Sequence, residues 1–260
     1  MPVRHCRAWP AGVIARANRV AWLERAPVSI RAAFVAAACS IATPASAEVG
    51  AAISAFSDYR FHGVSLSDGR PVANLDLSYD SNSGLYAGLS GTVVASRYRG
   101  IQPLRLAING GYAIPVGREV TIDVGVLQTR YSPYSGLPFG RSYTEFYAGI
   151  AQKAVTARLS ISPSYGGARH WTARGEIGAH KDLGSSLTLN GLLAASWSIG
   201  SPGALSYARP VWDGRIALAK RLGSVSLQAA VTARGKTSDF DYPTQRHRRV
   251  ALIVGVSKAL

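Results

Sequence analysis

The chain has 260 residues, 29 Lys and Arg against 14 Asp and Glu for a net charge of +15, and two cysteines. Both cysteines, Cys6 and Cys39, fall in an N-terminal stretch expected to be removed, so the rest of the chain is denied disulfides and thiolate metal sites. No apolar run reaches the roughly 20 residues of a membrane-spanning helix, which restricts any membrane-crossing form to a closed β-barrel.

Arg25 and Arg31 precede an apolar run from Ala32 to Ala42, and Ala45-Ser46-Ala47 supplies the small-residue pattern of a signal-peptidase site. Residues 1–47 are therefore expected to be a secretory signal peptide and residues 48–260 one outer-membrane β-barrel domain. The segment before Arg31 is long for a charged n-region, which places an alternative start near Val28. Cys39 raises a lipoprotein reading, but the large aliphatic residue expected three places before it is missing. Removing six bases and Glu24 with the leader leaves 23 bases against 13 acids, a balance of +10.

After the leader, period-two strands alternate with turn chemistry. The first strand is expected from about Ala51 to Phe61, with Ile53, Ala55, Tyr59 and Phe61 on one parity and Ser54, Asp58 and Arg60 on the other. The second, about Arg70 to Tyr79, sets Leu75, Leu77 and Tyr79 against Asn74, Asp76 and Ser78, and Asp80 to Gly84 turn it sharply. The third, about Leu85 to Ala95, sets Leu85, Ala87, Leu89 and Val93 against Gly88, Ser90 and Thr92.

In the fourth, Leu104, Leu106 and Ile108 share the apolar parity, opposed by Arg105 and Asn109; in the fifth Val120, Ile122, Val124 and Val126 are opposed by Asp123. The sixth carries Phe146, Ala148 and Ile150 opposite Glu145; the seventh sets Leu159 and Ile161 against Arg158; the eighth sets Trp171 and Ile177 against Arg174 and Glu176. Leu187 to Trp197 make the ninth, Trp212 to Leu218 with Asp213 and Arg215 the tenth, Val225 to Arg234 the eleventh and Val250 to Val256 the twelfth.

Ser57 to Pro71, reading SDYRFHGVSLSDGRP, joins the first strand to a polar, glycine-containing loop, and SGLYAGLSG (Ser83 to Gly91) follows one strand later. Together these stretches resemble the opening signature of the TorF-type porins, a bacterial outer-membrane family of poorly defined activity. The resemblance implies an envelope barrel and a pore, and no catalytic residue. His62 stands where that pattern has an arginine, and Leu260 stands where outer-membrane barrels usually end in an aromatic.

Connection lengths point to the architecture: the even-numbered ones are short and most odd-numbered ones longer, as in an up-and-down antiparallel transmembrane barrel. Tyr59, Phe61, Trp171, Trp197 and Trp212 at the long-loop end, and Tyr79, Tyr86 and Tyr112 at the other, then read as two aromatic girdles. The inward parity carries six bases (Arg60, Arg105, Arg158, Arg174, Arg215, Arg234) and six acids (Asp58, Asp76, Asp123, Glu145, Glu176, Asp213), a balanced lumen expected to pair across strands. Small inward residues such as Gly111, Gly125 and Gly178 would leave room for water. The long loops add ten bases against three acids, among them Arg97, Arg99, Arg246, Arg248 and Arg249, a basic outer rim.

The expected function is a narrow outer-membrane channel for small solutes with weak anion preference. The alternatives are a non-conducting structural or surface-binding barrel and a secreted soluble β-barrel or sandwich. The expected partners are the lipid bilayer, lipopolysaccharide phosphates, the outer-membrane assembly machinery and small anionic solutes; nucleic acid is not expected, since no reading motif accompanies the basic charge. No serine and histidine share the HxSNG arrangement of outer-membrane phospholipases, no histidine pair has metal-ligand spacing, and no glycine-rich loop opens a helix. The chain is accordingly read as a non-enzyme without cofactor or metal.

Overall fold

The computed structural model describes residues 47–136, 142–163, 171–199, 210–235 and 248–260. The expected leader lies outside them except for Ala47, which opens the first strand. The strands are β1 (Ala47–Phe56), β2 (Arg60–Phe61), β3 (Val64–Ser65), β4 (Val72–Ser81), β5 (Leu85–Ser96), β6 (Gly100–Val116), β7 (Val120–Tyr131), β8 (Ser142–Gln152), β9 (Val155–Ser162), β10 (Trp171–Gly184), β11 (Leu187–Ile199), β12 (Val211–Leu222), β13 (Val225–Arg234) and β14 (Val250–Ala259). β1 and β4 to β14 are hydrogen-bonded in sequence order, and β1 closes on β14, giving a twelve-stranded antiparallel barrel. β2 and β3 form a separate miniature hairpin. Among the described residues there is no helix long and apolar enough to cross a membrane.

Five connections at one end have two or three residues, while those at the other run from three (97–99) to fifteen (57–71). The 97–99 connection is thus as tight as the opposite turns. Both ends of the described chain lie at the short-turn end, because Ala47 pairs with Ser81 and Lys258 with Val225.

The period-two pattern sorts residues inside out relative to a soluble protein. Outward Leu193, Ile216 and Leu252 are 60, 64 and 66% exposed, whereas inward Ser90 and Thr92 are 3 and 2% exposed. Apolar side chains gain nothing from this arrangement in water; they gain from a surrounding apolar phase.

Two departures from the expected pattern have local causes. Pro103 has no N–H to give the β5–β6 ladder, and the register shifts there, so Thr92 faces Arg105 while Val93 faces Pro103. The bulge turns Leu104 inward beside Arg105, and Leu104 is completely buried, not outward with Leu106 and Ile108 as alternation predicts. The first strand ends at Phe56, not near Phe61, because neither of its neighbours pairs beyond that residue. Tyr59 and Phe61 are therefore not girdle residues: both pack against the buried cluster of Leu66, Val72, Val94, Leu104, Tyr131 and Tyr143 inside the mouth of the barrel.

Candidate functional site

The long connection after β1 folds into the barrel. Ser57 is tacked to the wall through its backbone N–H, which donates to the Val254 carbonyl at 2.9 Å, and through its hydroxyl, which accepts from the Val254 N–H at 3.1 Å. The chain then makes the β2–β3 hairpin, whose two-residue turn needs positive φ at both central positions, supplied by His62 (49°) and Gly63 (75°). Asp68 and Gly69, at 56° and 65°, make a second turn closed by the Arg70 N–H on the Ser67 carbonyl at 3.0 Å.

Asp58 is the centre of this loop. Its carboxylate accepts from Ser65 Oγ at 2.6 Å, Ser67 Oγ at 2.8 Å and Arg60 Nε at 2.8 Å. Ser67 Oγ also accepts from the Tyr59 N–H, and Ser65 Oγ from the Gly69 N–H. A buried carboxylate left without donors would cost several kcal/mol, about 3–5 for a broken buried pair, so the serines and Arg60 hold the loop to one shape. Its apolar side, Phe61 and Leu66, meets the wall, with the Phe61 ring 5.6 Å from that of Tyr131 and 6.0 Å from that of Tyr143.

All twelve residues expected as lumen charges lie in the barrel interior or in this loop, Asp58 and Arg60 being in the loop and not on a strand of the barrel. Two bonded clusters sit on the wall. On β10–β12, Arg174 makes a fork to Asp213 (2.6 and 3.0 Å), donates from Nε to Glu176 (2.7 Å) and bonds Ser196 (3.0 Å). On β5–β9, Arg158 bonds Asp123 at 2.9 Å and lies 4.4 Å from the Tyr147 ring centroid, while Tyr86 donates to Asp123 and its hydroxyl meets that of Tyr147 at 2.5 Å. Tyr86 is thus a lumen residue, not part of the short-turn girdle.

Register explains this second cluster. Tyr86 faces Gly111, Gly111 faces Gly125 and Gly125 faces Tyr147, one row across four strands. A Cβ on Gly125 would lie 2.5 Å from Tyr147 Cζ, and one on Gly111 2.5 Å from Tyr86 Cζ. The two rings occupy the space that small residues would have left to water. At Gly178 an added Cβ would meet Thr156 Oγ1 at 2.6 Å.

Of the remaining charges, Arg215 donates to Gln228 at 2.7 Å, Asp76 accepts from Asn74 at 2.5 Å, and the Arg105 guanidinium lies 5.6 Å from the Tyr59 ring centroid. Glu145 and Arg234 are buried. Among the described residues Arg158–Asp123 and Arg174–Asp213 are cross-strand ion pairs, whereas Arg60–Asp58 and Arg174–Glu176 are local.

Arg97, Arg99, Arg248 and Arg249 are exposed at the long-loop end, and Arg246 lies outside the described residues. The Arg248 carbonyl accepts from Arg60 Nη1 at 2.9 Å. Trp171 and Trp212 are half exposed on the outer face at the same end, Trp197 lies against Gly175, and Tyr79 and Tyr112 are exposed near the short turns. Among the described residues no three His, Cys, Asp or Glu side chains are grouped to hold a metal ion.

Burial and the neighbouring Arg174 hold the His62 imidazole well below its ordinary pKa of 6.5. Burial raises the Tyr59 hydroxyl above its ordinary value, an effect that Arg105 partly offsets.

Among solved structures the chain is similar to the NanC porin (TM-score 0.56, 12% identity, 81% of this chain and 100% of that one). It is also similar to the KdgM porin (0.48, 11%, 80% and 98%) and to an outer membrane channel from Pseudomonas putida F1 (0.42, 10%, 84% and 96%). The NanC likeness shows that the fold is that of a porin barrel. A comparison with curated proteins finds no match. Residues 41–200, which contain the inward-folded loop and both charge clusters as far as Ser196, match a family described as "Bacterial protein of unknown function (Gcw_chp)". The chain belongs to the Gcw_chp family.

Proposed function

We propose that the barrel resides in the bacterial outer membrane and passes small solutes through a lumen narrowed by its own first loop, with a weak anion preference set by the basic rim. The observation that carries this reading is the inversion of the wall, apolar outward and charged inward, around a closed sheet. The resemblance of Ser57–Pro71 and Ser83–Gly91 to the TorF-type porins and the NanC-like fold support it. Twelve strands enclose more space than the eight of a filled barrel and less than the sixteen of a wide porin, and the inward loop narrows it further. The lumen charges are balanced, so the preference comes from exposed Arg97, Arg99, Arg248 and Arg249.

A second reading has its own support. Fully buried Ser67 and Leu66 sit in the mouth, and the Tyr86–Tyr147 row fills inward space, as suits a non-conducting structural barrel whose rim binds lipopolysaccharide phosphates. Planar-bilayer recording under a salt gradient separates the two. The channel reading expects small discrete conductance steps and an anion-side reversal potential that shrinks when Arg246, Arg248 and Arg249 are neutralised. Correctly folded protein in a silent bilayer would leave the structural reading.

A further inference from the structure

Arg215 differs from Arg60, Arg158 and Arg174 in having no acid to bond. Among the described residues no ion pair joins it to a carboxylate, and Asp213, two residues before it on β12, is held by two bonds from Arg174. Its Nη2 donates instead to the neutral Gln228 Oε1 at 2.7 Å. Its Nε, and the hydroxyl of Thr232 opposite it on β13, are buried and make no hydrogen bond among the described residues. A guanidinium set against a neutral amide keeps its full charge, and in poorly hydrated surroundings that charge attracts an anion strongly.

The wall beside Arg215 is unlike the charged remainder of the lumen. Gln228 faces Ala219, and the Ala217–Ala230 pair lies between it and the Arg215–Thr232 pair, so the Arg215 side chain runs over two alanines to reach it. Ala230 in turn faces Ile253, and these three buried residues make one apolar row across β12, β13 and β14. Phe56 packs on the row, its ring so close over Gly255 that an added Cβ would lie 2.6 Å from Cε1. On β14 the inward parity is Ala251, Ile253, Gly255 and Ser257, without an ionisable group. Towards the short turns inward Ala219, Gln228 and Ser257 are partly exposed, whereas Thr232 and Arg234 nearer the long loops are buried. Arg215 and Phe56 are themselves partly exposed, so a solute in the lumen meets them from the short-turn side.

A cation without an acid, beside buried donors and an apolar row, matches a carboxylate carried on an apolar body. The guanidinium and the Thr232 hydroxyl suit the oxygens, and Phe56 with the row suits the body. We propose that the Arg215–Phe56 face of the lumen binds small monocarboxylates with an aromatic or aliphatic body. This names a solute class for the channel and rests on that reading for passage; the binding itself needs only a lumen open to solution.

The test is isothermal titration calorimetry of the full protein in detergent micelles at pH 7.5. Benzoate is the probe, protein-free micelles are the blank, and heat-dependent gel mobility checks folding. Wild type should bind benzoate roughly 10-fold or more tightly than acetate, which has the charge without the body, and than benzamide, which has the body without the charge. Arg215→Gln should weaken benzoate by about 10-fold or more, and Phe56→Ser should weaken benzoate while leaving acetate unchanged. Wild type that binds benzoate no better than acetate or benzamide overturns the proposal without any variant having to fold. Folded Arg215→Gln that binds benzoate as tightly as wild type overturns it as well. A silent bilayer with benzoate binding intact removes the channel and leaves the site, whereas a conducting bilayer without benzoate binding removes the site and leaves the channel.

Discussion

Replacing Arg174 with Ala tests whether the interior charges are structural or simply hydrated. Arg174 donates to Asp213 through two nitrogens, to Glu176 through Nε and to Ser196, and the side chains of Arg174, Asp213 and Glu176 are 7, 10 and 14% exposed. Truncation leaves the Asp213 carboxylate in a poorly hydrated wall without the guanidinium that bonds both its oxygens, and breaking a buried pair in this way costs about 3–5 kcal/mol. Lys153 and Glu119 form the contrasting pair, at 2.7 Å but 67 and 48% exposed beside a short turn, so Lys153→Ala should cost under about 1 kcal/mol. Urea unfolding of vesicle-inserted protein, followed by the fluorescence of Trp171, Trp197 and Trp212, reads both. If Arg174→Ala were as mild as Lys153→Ala, water would be solvating Asp213 and Glu176 fully, and the claim of a tightly bonded interior would fail.

Three further outcomes follow from packing and charge. Gly125→Ala should destabilise by about 1–3 kcal/mol, because the new methyl meets Tyr147, while outward Gly191→Ala, with nothing within 4 Å, should be near neutral in the same urea titration. Leu104→Ala, at the bulge and fully buried, should cost about 2–5 kcal/mol; an equal effect from outward Leu106→Ala would show that the bulge does not turn Leu104 inward. His62 refuses a proton when folded and accepts one near pH 6.5 when unfolded, so its contribution is complete above that value and declines as pH falls below it. The urea midpoint of wild type should therefore fall from pH 7.5 to 5.0 by more than that of His62→Asn, and equal falls would remove His62 from the account.

The twelve strands are legible in the sequence because a wall between an apolar phase and an interior imposes a strict two-residue period, and Leu75–Asp76–Leu77 or Val124–Gly125–Val126 obey it without exception. The same period misleads after Phe56. Tyr59 and Phe61 continue the apolar parity of Ile53 and Ala55, and alternation alone does not register that pairing with β4 and β14 has ended; the serines, Asp58 and the two turn glycines were the available signal. Pro103 was likewise the visible sign of the bulge that turns Leu104 inward. The Tyr86–Gly111–Gly125–Tyr147 row lay outside the reach of composition, because it exists only once the register of four strands is known. Inward charges were readable one by one, but their pairing was not: Arg174 finds Asp213 across an intervening strand, a relation that follows from barrel curvature and not from spacing in the chain.

The most direct test of the inverted wall is a nitroxide scan along β4, one label at a time from Ala73 to Tyr79, in protein inserted into lipid vesicles. Labels at Ala73, Leu75, Leu77 and Tyr79 should collide with lipid-dissolved oxygen and be shielded from a water-soluble nickel chelate, while labels at Asn74, Asp76 and Ser78 should show low oxygen accessibility. Uniform access to the water-soluble reagent along the strand, or alternation in the opposite phase, would contradict a barrel whose apolar face meets lipid and whose charged face lines the lumen.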